Sequence, residues 1–558
     1  MTDTGLETIT AYLDHWADIA PDRTWLRDLR DGNPVDWSWR QAAEESGALA
    51  TWLESALTGV GNSCAILSRN RAHWVLADMA IIASGNVTVP MFTTLPADTA
   101  QYILQFAHVK VLFLGEADNW ERIQDVVPED AIILTLPGVE IAGQHLRWQD
   151  LHRQFAQEKP RHRCRHDELM SIVFTSGTTG EPKGVMHSHE SMLVPIARCR
   201  KAFGTRDSPR FLSYLPLSHV AERQAVLMQS LLYGGTMTFN ELPAELLRDI
   251  AKVRPTFFFG APRVWEQLRH TVEAYFGSRA SFEKALREDE NGIISRARAL
   301  IGLEDADYLL TGAAPAYQGL LAWWDRIGLP LMDGYGQTEA MGLIGSTRKH
   351  NRPGSIGKPL RGVEARISES GELLCRTGGM AMGYYRSPEK TAATFVDGWI
   401  HTGDRARVDE DGFYYITGRV NDYFKTIHGK YVAPAPIEGQ FSVCRWVDQL
   451  CLLGRGCSKT VMVCVLSAEA MRQRKDRVEN DLLTRADEMN RDLERHARIG
   501  GVIVLPEPWT IESGVLTATL KIKRMEVEDR YGELAQALAR DAAEQGKLLM
   551  RWVDQRVN

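Results

Sequence analysis

The stretch SIVFTSGTTGEPKGVMHSHESM runs from Ser171 to Met192. Its β-prone apolar run, Ile172 to Phe174, stops at a loop of Thr, Ser and Gly that also carries Pro182 and Lys183. A Gly-rich loop after a strand turns backbone N–H groups and hydroxyls towards phosphate oxygens, and glycine lets the chain approach them closely. The commonest such loop, GxxxxGK[ST], follows its lysine with a hydroxyl that holds magnesium. Here Gly184 follows Lys183, so that ligand is missing and a P-loop kinase or GTPase is disfavoured.

Outward from the loop, the pattern alternates between strand and helix. WRQAAEESGALATWLESAL has apolar residues at helical spacing, SCAILS reads as a strand, RAHWVLADMAIIASG as a helix, VTVPMF as a strand, PADTAQYILQFA as a helix and VKVLFLG as a strand. RFLSYLP, GTMTF, PTFFFG, DYLLTG and PLMDGYG continue the series between Phe211 and Ile344. Such alternation predicts an α/β fold built on mainly parallel sheets. After about Arg352 short strands and Gly-rich turns take over, which predicts a small β-barrel-like part. A small α+β domain is expected at the C-terminus, with domains 1–419 and 420–558. RQRKDRVENDLLTRADEMNRDLERHARIG is a charged amphipathic helix whose charges read most simply as a solvated face.

With 558 residues, 44% of them hydrophobic and 25% charged, the composition is that of a globular protein of two or three domains. The net charge of −7 gives no sign of a nucleic-acid partner, which would be expected to show a basic face. The 8 cysteines are scattered, none in a CxxC pair. The polar start MTDTGLETIT does not read as a secretory signal, so reduced thiols and a cytoplasmic location are expected. No apolar run is long enough for a membrane span; the nearest is interrupted by Asp78 and Asn86. Peripheral membrane contact and the oligomeric state stay open. RHRCRHDE, with His162, Cys164 and His166, has a superficial metal-binding look, but a solvated charged loop is the simpler reading.

Six further motifs follow TSGTTGEPKGV: SYLPLSHVAER, TGAAP, DGYGQTEA, GWIHTGD, GRVNDYFKTIHGKYVAPAPIE and TATLKIKR. Together and in this order they resemble the adenylate-forming superfamily of acyl-CoA synthetases, luciferases and adenylation domains. SYLPLSHVAER, YGQTEA and EPWTIESGVLTATLKIKR look closest to long-chain fatty acyl-CoA synthetases. The resemblance implies that ATP and a carboxylic acid give an acyl-adenylate and pyrophosphate, after which coenzyme A displaces AMP. It implies that Thr175, Ser176, Gly177, Thr178, Thr179, Gly180 and Lys183 hold the β- and γ-phosphates. Gly312, Ala313 and Ala314 would wall the adenine with Asp333, Gly334, Tyr335, Gly336 and Gln337, the tyrosine ring stacking on the base. Thr338 would contact the α-phosphate and Glu339 would hold Mg2+. Asp404 would bind the ribose hydroxyls, with Arg419 at ribose or phosphate.

Lys521 matches the lysine that reaches the carboxylate and α-phosphate during adenylation; Lys523 is the neighbour with which it could be confused. The family then rotates its C-terminal domain about a hinge, here Asn421 where aspartate or lysine is usual. Lys425 matches a lysine brought in for the second half-reaction, and Gly429 would let the thiol pass the backbone. The wider superfamily's Pro and Gly in the last motif are replaced by Ala518 and Leu520. His219 sits where the family places an aromatic residue or a histidine beside the substrate carboxylate.

TFFFGAPRVW, TGAAP and YGQTEAMGLIG are apolar or small, which favours a hydrophobic acyl chain. Ala313, Ala314, Gly342 and Gly345 would be compatible with a long tunnel. The expected activity is therefore a fatty acid–CoA ligase. A fatty acyl-AMP ligase loading an acyl carrier protein, and a CoA ligase for an aryl or other apolar acid, remain open alternatives.

Overall fold

The strands Ser63–Leu67 and Val87–Met91 are buried along their whole length, as parallel strands covered on both faces must be. Helix Ala72–Ala83 connects them and is itself buried nearly all round, so it lies between layers. In the computed structural model, which describes residues 5–30, 33–175, 181–204, 206–240, 242–312, 316, 318–442, 444–517 and 520–553, these elements form the centre of an eight-stranded sheet. Its order runs Gly383–Tyr384, Lys183–Ser188, Leu169–Thr175, Val87–Met91, Ser63–Leu67, Val109–Leu114, Ile132–Thr135 and Leu146–Arg147. The pairings from Leu169–Thr175 onward are parallel. The two strands before it join antiparallel at the edge.

A second sheet has Phe257–Gly260, Tyr308–Thr311 and Leu331–Gln337 in parallel, then Ala340–Gly345 and Lys358–Pro359 antiparallel. A third carries Arg210–Ser213, Thr236–Phe239, Thr24–Arg30 and Asn33–Ser38. Large aromatic side chains fill the spaces between layers; Trp25 and Trp39 stack at 4.6 Å. The mainly parallel α/β architecture expected from the alternating pattern is present.

The chain divides into two compact units. The first comprises residues 5–175, 181–365 and 375–400 of the described chain; the second comprises 366–374 and 401–553. In the second, the end of strand Trp399–Val408 pairs antiparallel with Tyr414–Arg419. Strands Val447–Leu453, Thr460–Leu466, Ile499–Leu505 and Leu549–Trp552 then form a mixed sheet in chain order. Helix Lys475–Asp492 buries Val478, Leu482, Ala486 and Met489, a single stripe at helical spacing, which leaves its charges on the solvent side. Among the described residues no helix is long and apolar enough to cross a membrane.

Candidate active site

The opening stretch of sequence folds as a hairpin. Leu169–Thr175 and Lys183–Ser188 pair antiparallel, and Thr175 opposite Lys183 is the last pair before the tip. Ser176, Gly177, Thr178, Thr179 and Gly180 lie outside the described residues, as do Ala313 and Ala314. Gly184 is required by packing: a Cβ there would stand 2.7 Å from Ile172 Cγ2. At the tip, Lys183 Nζ sits over the Tyr384 ring, 5.3 Å from its centroid. The Tyr384 hydroxyl donates to Glu339 Oε1 at 2.6 Å. Cation, ring and carboxylate are thus held in series. Burial raises the Tyr384 pKa, and the Glu339 charge and hydrogen bond raise it further, so this tyrosine stays a donor. Nothing in its GYY context marks Tyr384 in the sequence.

Thr338 and Glu339 form the two-residue turn between Leu331–Gln337 and Ala340–Gly345, with Gln337 opposite Ala340. Such a tight turn fixes both side chains at the end of a sheet. Asp333, Gly334, Tyr335, Gly336 and Gln337 occupy the strand leading into it. A Cβ at Gly336 would stand 2.9 Å from Met341 Cα, so only glycine fits there. One at Gly312 would lie 3.3 Å from the Gly334 carbonyl oxygen, which brings the TGAAP and DGYG segments together. Burial pushes the Asp333 carboxyl up to about 7, with the Gly334 backbone opposing. Cβ atoms at Gly342 and Gly345 would face Cys199 and Phe203. At Gly342 the positive φ of 58° and the Cys199 sulfur 3.0 Å away both favour glycine, whereas a Cβ at Gly345 would make only ordinary contacts.

Behind this site lies a cluster of buried charge. Arg223 donates to both oxygens of Asp78, at 2.8 and 2.7 Å, and to Ser171 Oγ at 2.7 Å. Both ion-pair side chains are fully buried. The pair ties the π-wound turn Arg223–Met228 to helix Ala72–Ala83 and to the hairpin strand Leu169–Thr175. Burial and the Arg223 charge push His187 down to about 3, with the Thr338 backbone opposing, so His187 is a neutral packing residue. His219 caps the short helix Val220–Glu222, its Nδ1 accepting from the Ala221 N–H at 3.1 Å. That bond puts the proton of the neutral ring on Nε2.

Glu222 is buried, and its pKa is pushed up to about 8 by burial, with Ser213 and the Tyr214 backbone opposing. Because the folded pKa lies above the ordinary 4.5, its contribution to stability is fully present below pH 4.5 and is lost as the pH rises towards 8. Glu222→Gln is expected to flatten that decline and to stabilise the protein at pH 8 by on the order of 2–4 kcal/mol. Denaturant unfolding at pH 5 and pH 8 checks this. Parallel pH profiles for the two proteins would contradict it.

In the second unit, Asp404 and Arg419 are direct cross-strand partners. Arg419 Nε meets Asp404 Oδ1 at 2.8 Å, with the aspartate side chain only 8% exposed. The strand carrying Asp404 is fixed by its neighbours: Gly403 N–H donates to Glu372 at 2.8 Å and Thr402 Oγ1 donates to the Leu373 carbonyl at 2.7 Å. Lys521 has an exposed outer surface, yet the protein crowded around its ammonium lowers its pKa. Arg419 lowers it further and Asp404 opposes. The structure therefore groups Lys521 with Asp404 and Arg419. Lys523 instead occupies the N-cap position of helix Arg524–Glu544.

Lys521 stands on a tight turn in which Thr517 N–H donates to the Lys521 carbonyl at 2.9 Å and Leu520 N–H to the Thr517 carbonyl at 2.8 Å. Leu520, where the superfamily's glycine is replaced, has φ 59°, a left-handed conformation unusual for leucine. The turn is anchored by Arg524, which donates to both Glu438 oxygens at 2.7 and 2.9 Å and to the Leu452 carbonyl at 2.8 Å. Asn421 is exposed in a turn closed by the Asp422 N–H to Arg419 carbonyl bond, 3.2 Å. Lys425 lies on the short strand Phe424–Lys425, its Nζ 5.8 Å from the Tyr431 ring centroid. Gly429 closes the adjoining loop with φ 74°, its N–H donating to the Thr426 carbonyl at 2.9 Å.

The family model of AMP-binding enzymes matches residues 13–385. This chain belongs to the AMP-binding enzyme family. The family's C-terminal domain matches residues 421–542. Among curated relatives of this AMP-binding enzyme, a long-chain-fatty-acid–CoA ligase of Mycobacterium bovis is 29% identical, over 93% of this chain and 94% of its own. Fatty acyl-CoA synthetase A of Dictyostelium discoideum is 27% identical, over 91% and 87%. Among solved structures, the adenylation domain of a carboxylate reductase from Mycobacterium chelonae aligns with a TM-score of 0.79 and 22% identity, over 97% of this chain and 92% of that one. The AMP-binding enzyme thus has the adenylate-forming fold through most of its length.

Proposed function

We propose that this AMP-binding enzyme is an ATP-dependent acid–thiol ligase. It activates a fatty acid as acyl-AMP with release of pyrophosphate, then transfers the acyl group to the thiol of coenzyme A. The observation that carries this reading is the convergence of Lys521 on the Asp404–Arg419 pair, in a chain with which a relative named as a long-chain-fatty-acid–CoA ligase and one named as a fatty acyl-CoA synthetase align over more than nine-tenths of it.

In the first step a carboxylate oxygen attacks the α-phosphorus and the bond to the β-phosphate breaks. Such a reaction needs positioning and charge stabilisation from the protein. Lys183 and the loop Thr175–Gly180 hold the departing pyrophosphate. Thr338 donates to the α-phosphate, Tyr335 stacks on adenine, and Asp404 accepts from the ribose hydroxyls. Lys521 meets the charge that develops between carboxylate and α-phosphate. Glu339 presents carboxylate oxygens of the kind Mg2+ takes, and that ion would supply charge neutralisation on the phosphates.

In the second step the thiolate of coenzyme A adds to the acyl carbon and AMP leaves. Residues 420–558 move about Asn421 between the steps, withdrawing Lys521 and bringing in Lys425, while Gly429 gives the thiol passage beside the backbone. His219 orients the substrate carboxylate with the neutral ring described above.

Pyrophosphate exchange measured across a panel of carboxylic acids tests the first half. Acid-dependent exchange that is strongest with long alkyl acids is expected, followed by thioester formation when coenzyme A is added. No acid-dependent exchange would defeat the adenylation reading. Exchange without consumption of coenzyme A, but with acylation of a holo-carrier protein, would move the assignment to an acyl-AMP ligase.

A further inference from the structure

A second cluster lies at the root of the phosphate-loop hairpin, away from the tip. His162 Nε2 and Glu168 Oε2 are 3.0 Å apart. The Cys164 sulfur joins them, so that one donor atom from each of the three residues lies within 4.8 Å of the others. All three residues are half-buried. The loop that carries them is held in place independently: the N–H groups of Arg161 and His162 donate to Glu54 at 2.8–3.0 Å. The Arg165 N–H donates to Glu168 Oε2 at 3.1 Å. The His162 ring packs over Gly85, where a Cβ would stand 2.8 Å from Nδ1.

We propose that His162, Cys164 and Glu168 form a zinc site that fastens the base of this hairpin, independent of the ligase reading. Imidazole, thiolate and carboxylate together are a donor set for zinc, and oxygen-preferring magnesium or calcium would not select a sulfur. Around a tetrahedral zinc, donor atoms stand roughly 3.3–3.6 Å apart, given metal–ligand bonds of about 2.0–2.3 Å. The His162–Glu168 pair would open slightly and the Cys164 sulfur would close by roughly 1 Å to reach that geometry. Half-burial leaves the fourth position to water. On binding, the Cys164 thiol gives up its proton to solvent, the neutral His162 ring keeps its proton on Nδ1 so that Nε2 is free to ligate, and no electrons move. Its sulfur now lies 3.4 Å from the Ile82 carbonyl, to which the thiol donates, and zinc would replace that weak bond. His166 is no part of the set; its ring faces Glu7 at 3.9 Å.

The position says what the ion does. Glu168 directly precedes strand Leu169–Thr175, and His189, whose ring accepts from the Ile9 N–H, directly follows Lys183–Ser188. The site is therefore about 20 Å, seven residues of strand, from the phosphate loop. Zinc there would stiffen the hairpin's root and take no part in the chemistry.

The test uses the full-length protein, stripped of metal with a chelator and then freed of the chelator. Cobalt(II) added as a spectroscopic probe is expected to give a thiolate-to-cobalt charge-transfer band and tetrahedral ligand-field bands, saturating at one equivalent and displaced by zinc. Cys164→Ser should lose the charge-transfer band, and His162→Gln and Glu168→Gln should each weaken cobalt binding at least about tenfold. Metal-free unfolding midpoints are compared first, so that a misfolded variant is recognised; if Cys164→Ser fails that check, the other two carry the decision. No band in the wild-type protein, a band that survives in folded Cys164→Ser, or unchanged affinity in both remaining variants would each overturn the site.

Discussion

Lys521→Ala is expected to lower acid-dependent pyrophosphate exchange by at least about 10²–10³-fold, the loss typical when a charge-stabilising donor is taken from a transition state. Thioester formation from supplied acyl-AMP should be spared. The expectation rests on how this lysine is held. It stands on a turn closed by three backbone bonds around Thr517, Leu520 and Lys523, and that turn is anchored through Arg524 to Glu438. Its ammonium feels both Arg419 and Asp404, so it is an element of that charge cluster even though its outer surface is exposed. Lys523→Ala is the internal control, since that residue lies at the start of the last long helix and should leave exchange within about twofold. If Lys521→Ala lost both half-reactions together, the division of labour between two domain orientations would be wrong.

Asp78→Ala is expected to destabilise the fold by about 3–5 kcal/mol, because it strands the Arg223 guanidinium in the interior. The aspartate accepts two bonds from Arg223, and the arginine also reaches Ser171 on strand Leu169–Thr175. Removing one partner leaves an uncompensated charge, whereas replacing both removes the problem. Asp78→Leu combined with Arg223→Met should therefore recover most of the lost stability in denaturant unfolding. If the double variant were no more stable than Asp78→Ala, the ion pair would not be the source of the effect.

The contrast between these two sites marks how far the sequence could be read. Lys521, Thr338, Glu339, Asp404 and Arg419 belong to local patterns, and the sheets follow from alternations of apolar runs that need no long-range information. Asp78 looked like an interruption in an apolar helix because its partner is far along the chain. The local pattern prices it as a defect; only the tertiary pairing makes it an asset. Tyr384 escaped for the same reason: its hydroxyl reaches Glu339, 45 residues away, from an edge strand two residues long. In RHRCRHDE the histidine and cysteine stood out, but the spacing of an irregular loop has no period. Nothing local could show that Glu168 turns towards His162 while His166 turns away.

Leu520 adds an energetic side to the arrangement. A side chain with a Cβ in the left-handed region costs roughly 1–2 kcal/mol relative to relaxed backbone. Glycine at the same position would carry almost none of it. The turn that presents Lys521 therefore carries a backbone strain of that size in the conformation described. Three backbone bonds and the Arg524–Glu438 pair hold that strained turn, so the surroundings, and not the conformational preference of leucine, fix where Lys521 stands.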